Sequence, residues 1–234
     1  MNIKEMNWQQ VEDYLRNEDR AILPLGCTEQ HAYLSLNTDA ILAEKLAQDC
    51  ASDLNIAVFP VVNYGVTPAF SAYPGTISLR VETLVNIIRD ILDGLKKSGF
   101  KRIIILNGHG GNSAARMFVQ EWLMDNPSMK VKWHDWWEAP KVWQKVEEID
   151  PDANHASWME NFPWTRIANL NLPKVKKEML NSKIPDQISP KEVREYLGDG
   201  SYGGAYYKDD SLMAELWQIA IEEARALLTD NWDK

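Results

Sequence analysis

The run Arg102-Ile103-Ile104-Ile105-Leu106 constrains this chain more than any other stretch. Large apolar side chains on successive residues of an extended segment point to both faces of a sheet, so neither face can meet water. Such a strand belongs inside a parallel sheet with helices on both sides. The residues before it agree: Leu84, Ile88, Ile91, Leu92 and Leu95 recur at helical spacing across 81–98, and Gly99 supplies the stop. The same alternation runs through the first 136 residues. A short helix over 7–15 with Asn7 as N-cap precedes a strand over 21–25. A helix over 39–52, marked by Ile41, Leu42, Leu46 and Ala47, leads to a strand over 56–62 that Pro60 must interrupt. After the central strand come a helix over 112–125 and a strand over 130–136. The pattern predicts a single α/β domain spanning 1–234, with a mainly parallel sheet wound by right-handed crossovers and flanked by helices on both faces.

The last third is less regular. Ser189-Pro190-Lys191-Glu192 is a capping box with proline at the first helical position, and Gly198 ends that helix. A glycine-rich loop over 198–204 and an amphipathic helix over 212–228 follow. With 45% hydrophobic residues, the chain can bury a sizeable core. Its formal charge of -9 disfavours nucleic acid and anionic membranes as partners. No export signal or membrane-spanning run is evident, which places the protein in the cytoplasm. Cys27 and Cys50 alone make no disulfide framework. The excess of tryptophan, 10 in all, is read mainly as core or subunit-interface packing, with Trp137, Trp158 and Trp164 as candidate pocket walls.

In open α/β sheets, functional side chains gather beyond the carboxyl ends of the strands. Glu29, His31 and Asp39 follow the first strand, His109 follows the third, and Asp135 closes the fourth. Imidazole and carboxylate donors together suit zinc, manganese or iron(II). Two histidines with two or three carboxylates exceed the usual ligand set of one catalytic zinc, and a two-metal site sharing one carboxylate explains the surplus. The loop over 65–76, with Pro68, Pro74 and Gly75, is long enough to have a job at that end of the sheet.

Three motifs in order give these residues a family context. They are Leu23-Pro24-Leu25-Gly26-Cys27-Thr28-Glu29-Gln30-His31 through Asp39, Tyr73-Pro74-Gly75-Thr76-Ile77-Ser78-Leu79, and Asn107-Gly108-His109-Gly110-Gly111-Asn112. With the weaker match His155-Ala156-Ser157-Trp158-Met159-Glu160, the sequence resembles the creatinine amidohydrolase (creatininase) family of metal-dependent amidohydrolases. The resemblance implies two divalent ions per subunit (zinc, manganese or iron), a small-molecule amide substrate, and a homo-oligomer, often a hexamer. By the same resemblance Glu29 and His109 hold one metal, His31 holds the other, and Asp39 bridges them. Where some members carry a glutamate two residues after the loop histidine, this chain has Gly111, so Glu160 is carried over as the last ligand and as a catalytic carboxylate. Phe70 replaces a histidine found in many members, Asn154 replaces a glutamate, and Ala156-Ser157-Trp158 replaces Ala-Gly-Glu. The metal core is thus expected to be kept while the substrate shell differs.

The reaction expected is cleavage of a cyclic or linear amide by a metal-activated hydroxide, aided by the backbone of Gly110 and Gly111, with His155 donating a proton to the leaving nitrogen. His134, inside a strand, reads as structural, and Cys27 reads as a packed thiol rather than a nucleophile. Two rivals stand beside this reading. Gly108-x-Gly110-x-x-Ser113 with Asp135 is a partial dinucleotide fingerprint that would suit a nicotinamide-dependent oxidoreductase. A non-catalytic, small-molecule-binding member of the family is the other.

Overall fold

The computed structural model describes residues 1–180, 188–230 and 232. Strands β1 (Arg20–Leu25), β2 (Ala57–Val58), β3 (Arg102–Asn107) and β4 (Lys130–Asp135) form one sheet in the order β2-β1-β3-β4. Every pairing is parallel. The apolar run predicted to be central is β3, paired along its full length on both sides, with Ile103 opposite Ala21 and Val131.

Alternation along the strands divides the core in two. Ile22, Ile104 and Leu106 face α2 (Thr38–Ala51), α5 (Pro140–Ile149) and α7 (Asp210–Thr229), while Ala21, Leu23, Leu25, Ile103 and Ile105 face the other way. That second face is covered by α3 (Val81–Ser98) and α4 (Ser113–Asp125), with Tyr14 from α1 (Trp8–Leu15) at its margin. Helix α6 (Pro190–Leu197) packs against a short 3-10 turn at Pro68–Phe70. No helix among the described residues is long and apolar enough to cross a membrane.

Local rules explain most boundaries. Asn7 accepts from the Gln10 amide and Gln10 returns the bond, while Ser189 and Glu192 do the same for α6. Gly99 ends α3 in the left-handed region at φ 110. The strand expected over 56–62 is a correction: it shrinks to Ala57–Val58 and the chain rejoins β1 only at Val62. Pro60 has no N–H to give to the ladder, so Phe59 donates to Ile22 and Val62 to Pro24, with the chain diverging between them. Helix α5 has no counterpart in the sequence reading, because only Val142 and Val146 anchor it.

His134 is the structural histidine expected, buried on β4 with Nε2 unpartnered among the described residues. Burial, opposed by Glu223 and Asp135, lowers its pKa. A depressed imidazole costs nothing while neutral but must be charged against burial once pH falls below the unfolded value of about 6.5. Replacing it in His134→Gln is therefore expected to flatten the loss of stability as pH falls below about 6.5, read by thermal unfolding. Parallel profiles for the two proteins would contradict this.

Candidate metal centre

The carboxyl ends of β1 and β3 and the start of α2 meet at one rim. Closeness there depends on glycine: a Cβ on Gly108 would collide with the Asp39 backbone, so only glycine lets the β3 loop reach the first turn of α2. Asn107 and Asn112 fix the loop between them. Asn107 Nδ2 donates to the His109 carbonyl at 2.8 Å and to Asp135 at 2.7 Å, and Asn112 Nδ2 donates to the Gly26 carbonyl at 3.2 Å. On the β1 side, Gln30 N–H donates to Thr76 at 3.0 Å and Ile77 N–H to the Thr28 carbonyl at 2.9 Å. The Thr76-containing motif therefore holds the Glu29–His31 turn in place.

The five expected ligands converge. Asp39 lies between the two imidazoles, Oδ1 at 2.9 Å from His31 Nε2 and Oδ2 at 3.1 Å from His109 Nδ1. Glu29 Oε1 is 3.4 Å from His109 Nδ1, and Glu160 Oε1 is 3.7 Å from His31 Nε2. Each ring is oriented by its other nitrogen: His31 Nδ1–H donates to the Glu29 carbonyl at 3.2 Å, and His109 Nε2–H donates to the Val66 carbonyl at 3.0 Å. These bonds turn His31 Nε2 and His109 Nδ1, as lone-pair donors, toward Asp39.

The buried hydrogen-bond pattern fits cations here. Glu29 Oε2, His31 Nε2 and Asp39 Oδ2 are buried without a hydrogen-bond partner among the described residues. Buried acceptors in contact with one another are costly unless something positive lies among them. When a proton plays that part, burial opposes charge on His31 and His109, but Asp39, Glu160 and Glu29 outweigh it and raise both imidazoles. Burial likewise disfavours the Asp39 and Glu29 carboxylates, yet His31 and His109 hold both in the ionised form. Three donor groups each lie within 4.8 Å: Glu29–Asp39–His109 with Cys27, His31–Asp39–Glu160, and Glu29–His31–His155; the first two share Asp39.

Gly111 lines this space but has no room for a larger residue, since a Cβ would strike the Val66 carbonyl and the His109 ring. A carboxylate reaches this space from Glu160, on a 3-10 turn at Trp158–Glu160. Its Oε2 accepts from Ala156 N–H at 2.7 Å, which leaves Oε1 toward His31. We expect Gly111→Ala to destabilise the protein by about 1–3 kcal/mol through this crowding and to lower metal content by tilting His109. Unchanged melting and metal content would refute the packing argument.

A cavity of about 630 Å³ opens above the donors. His155, Gly110, Gly111 and Trp137 line it, together with Phe70, Glu138, Trp143, Met159 and Tyr202. Phe70 stacks on the His155 ring at 4.8 Å, and Tyr202 lies 5.4 Å from it. Burial, and then the positive field of His31, lowers the His155 pKa, so this imidazole is neutral at pH 7. Burial pushes the Tyr202 phenol up to about 12. Trp158 is a correction: it is fully buried in the core, not in the pocket wall, because its turn directs Met159 and Glu160 to the cavity and Trp158 away. Trp164 is half-buried against the core, stacked on Phe162 at 5.1 Å, and does not line the cavity. Asp135 accepts from Asn107, Trp133 and Arg116, so it serves the loop. Tyr202, Glu138, Trp143 and Met159 were missed, and only the glycine-rich loop around Tyr202 hinted at one of them.

Fold and site together define a parallel α/β protein whose strand ends gather imidazole and carboxylate groups able to hold metal. The creatininase family model, described as creatinine amidohydrolase, matches residues 4–228, and the chain belongs to that family. Among curated relatives, creatinine amidohydrolase of Pseudomonas putida is 30% identical over 126 residues, 51% of this chain and 47% of that one. The 3-dehydro-scyllo-inosose hydrolase of Thermotoga maritima is 29% identical over 45% of this chain and 34% of its own. A mycofactocin precursor peptide peptidase of Mycobacterium tuberculosis is 34% identical over 40% and 41%. Each match thus spans less than half of the relative's length. A crystal structure of creatinine amidohydrolase superposes with TM-score 0.81 at 20% identity, covering 97% of this chain and 96% of that one. A structure named as manganese creatininase gives 0.80 at 20% identity, covering 100% and 99%.

Proposed function

We propose that this protein is a metal-dependent amidohydrolase that cleaves a C–N bond of a small-molecule amide. The observation that carries the reading is the pair of donor groups sharing Asp39, with unpartnered acceptors buried between them. Glu29, Asp39 and His109 would hold one divalent ion, and His31, Asp39 and Glu160 the other; nitrogen with oxygen suits zinc, manganese or iron(II). Such ions, when bound, lower the pKa of water and polarise an amide carbonyl.

The chain's own residues supply the rest. The Glu29 and Val66 carbonyls hold the two ligand rings in the donating tautomer. His155 Nε2 accepts from the Gln30 side-chain amide at 2.8 Å, so the neutral ring carries its hydrogen on Nδ1, which faces Glu29 at 3.6 Å and borders the space where the leaving nitrogen would take up a proton. Phe70 fixes that ring by stacking and excludes water from its face. The backbone of Gly110 and Gly111 borders the space where the carbonyl oxygen would lie. The cavity volume falls in the range that buries drug-sized molecules, and its walls of Trp137, Trp143 and Tyr202 favour a substrate with apolar surface. The relatives named creatinine amidohydrolase and mycofactocin precursor peptide peptidase support C–N bond cleavage, whereas 3-dehydro-scyllo-inosose hydrolase is named for a nitrogen-free substrate and supports hydrolysis alone.

The test is protein stripped of metal, reloaded with zinc or manganese, and assayed on lactams, N-formyl amines and short peptides. Turnover that a chelator abolishes and metal restores is the expected result. Two bound ions without turnover on any of these would favour a binding role instead.

A further inference from the structure

Cys27 is fully buried at the cation-binding end, and the proposed reaction does not use it. It forms no part of the cavity wall, so it cannot touch substrate. Its Sγ nevertheless lies within 4.8 Å of donor atoms of Glu29, Asp39 and His109. Two of those carboxylates point to a ligand independently: Glu29 Oε2 and Asp39 Oδ2 are unpartnered among the described residues, and each residue is 2% exposed. His109 gives its Nε2 hydrogen to Val66, so Nδ1 turns a lone pair to the same space.

We propose that Cys27 ligates, as a thiolate, the cation held by Glu29, Asp39 and His109, so that the two cation positions are chemically unlike. The inference rests on the two-cation reading above. On binding, the S–H bond breaks, its proton passes to solvent, the sulfur lone pair forms the metal bond, and no electron is transferred. One sulfur, one nitrogen and two oxygens make a complete four-donor set that selects zinc. His31, Asp39 and Glu160 offer one nitrogen and two oxygens, which suits a harder ion such as manganese. Donors of both positions border the cavity, Glu29 and His109 from the first, Glu160 from the second and Asp39 from both. Cys27 would therefore decide which metal settles at the His109 position.

X-ray absorption on the zinc-loaded protein decides the matter directly, with sulfur expected in the zinc shell at about 2.3 Å. Cobalt(II) loading is expected to give a near-ultraviolet thiolate-to-cobalt band that C27S and C27A both lose, while the other cysteine's variant, C50A, keeps it. Cys50 is packed in the core with Sγ toward the Ala47 carbonyl, so it serves as the control. A zinc shell of nitrogen and oxygen alone, or a band that survives C27S in a folded protein, overturns the proposal while the two-cation reading stands. Protein that takes up no zinc or cobalt at all overturns both.

Discussion

Asp39→Ala is expected to remove both cations and to lower amide turnover by about a thousandfold or more, the scale of losing a main charge-stabilising group. The size of the effect follows from position. Asp39 is the one residue common to the two proposed cation positions, with an oxygen toward each imidazole. It stands in the first turn of α2 at 2% exposure, so water cannot substitute for it. Its removal leaves His31 and His109 facing a small void, and neither remaining set of donors can hold an ion tightly. The fold should survive, because α2 is held by Leu42, Leu46, Ala47 and Cys50 against β1, β3 and α7 rather than by Asp39. Metal analysis after dialysis, with circular dichroism on the same sample, checks both halves. Full occupancy of either position in the variant would refute the bridging role.

Glu29, His31, Asp39 and His109 were legible from the sequence because a parallel sheet sends its strand ends to one edge, and β1 and β3 announce themselves by apolar runs. Asp135 shares that edge yet braces Asn107, which shows that the topology names the place and not the task. Glu160 was legible only through family resemblance, since it sits on an irregular segment where no periodicity constrains the chain. The same irregularity hid Tyr202, Glu138 and Met159. Trp158 was misplaced for a related reason: within a 3-10 turn, successive side chains point about a third of a circle apart. Two residues separate Glu160 in the cavity from Trp158 in the core, and Met159 between them belongs to both. Pro60 gave fair warning of the short β2, whereas α5 offered too narrow an apolar stripe to be seen.

The carried-over ligand, Glu160, allows a selective test that the shared one does not. Glu160→Gln keeps the side chain's length and one carbonyl oxygen, so the bond from Ala156 N–H can persist and the left-handed backbone at Ala156, φ 57, stays supported. What is lost is the negative charge 3.7 Å from His31 Nε2. The cation at the His31 position is therefore expected to bind about a hundredfold more weakly, while the one at the His109 position, which Glu160 does not reach, is unchanged. Titration of metal-free protein with zinc would show one tight and one weakened step, and turnover should recover at high zinc if Glu160 acts only as a ligand. Turnover that stays low at saturation would show that the carboxylate also takes part in the chemistry. Equal weakening of both steps would mean that the two positions are not held as separate donor groups, and unchanged binding at both would remove Glu160 from the site.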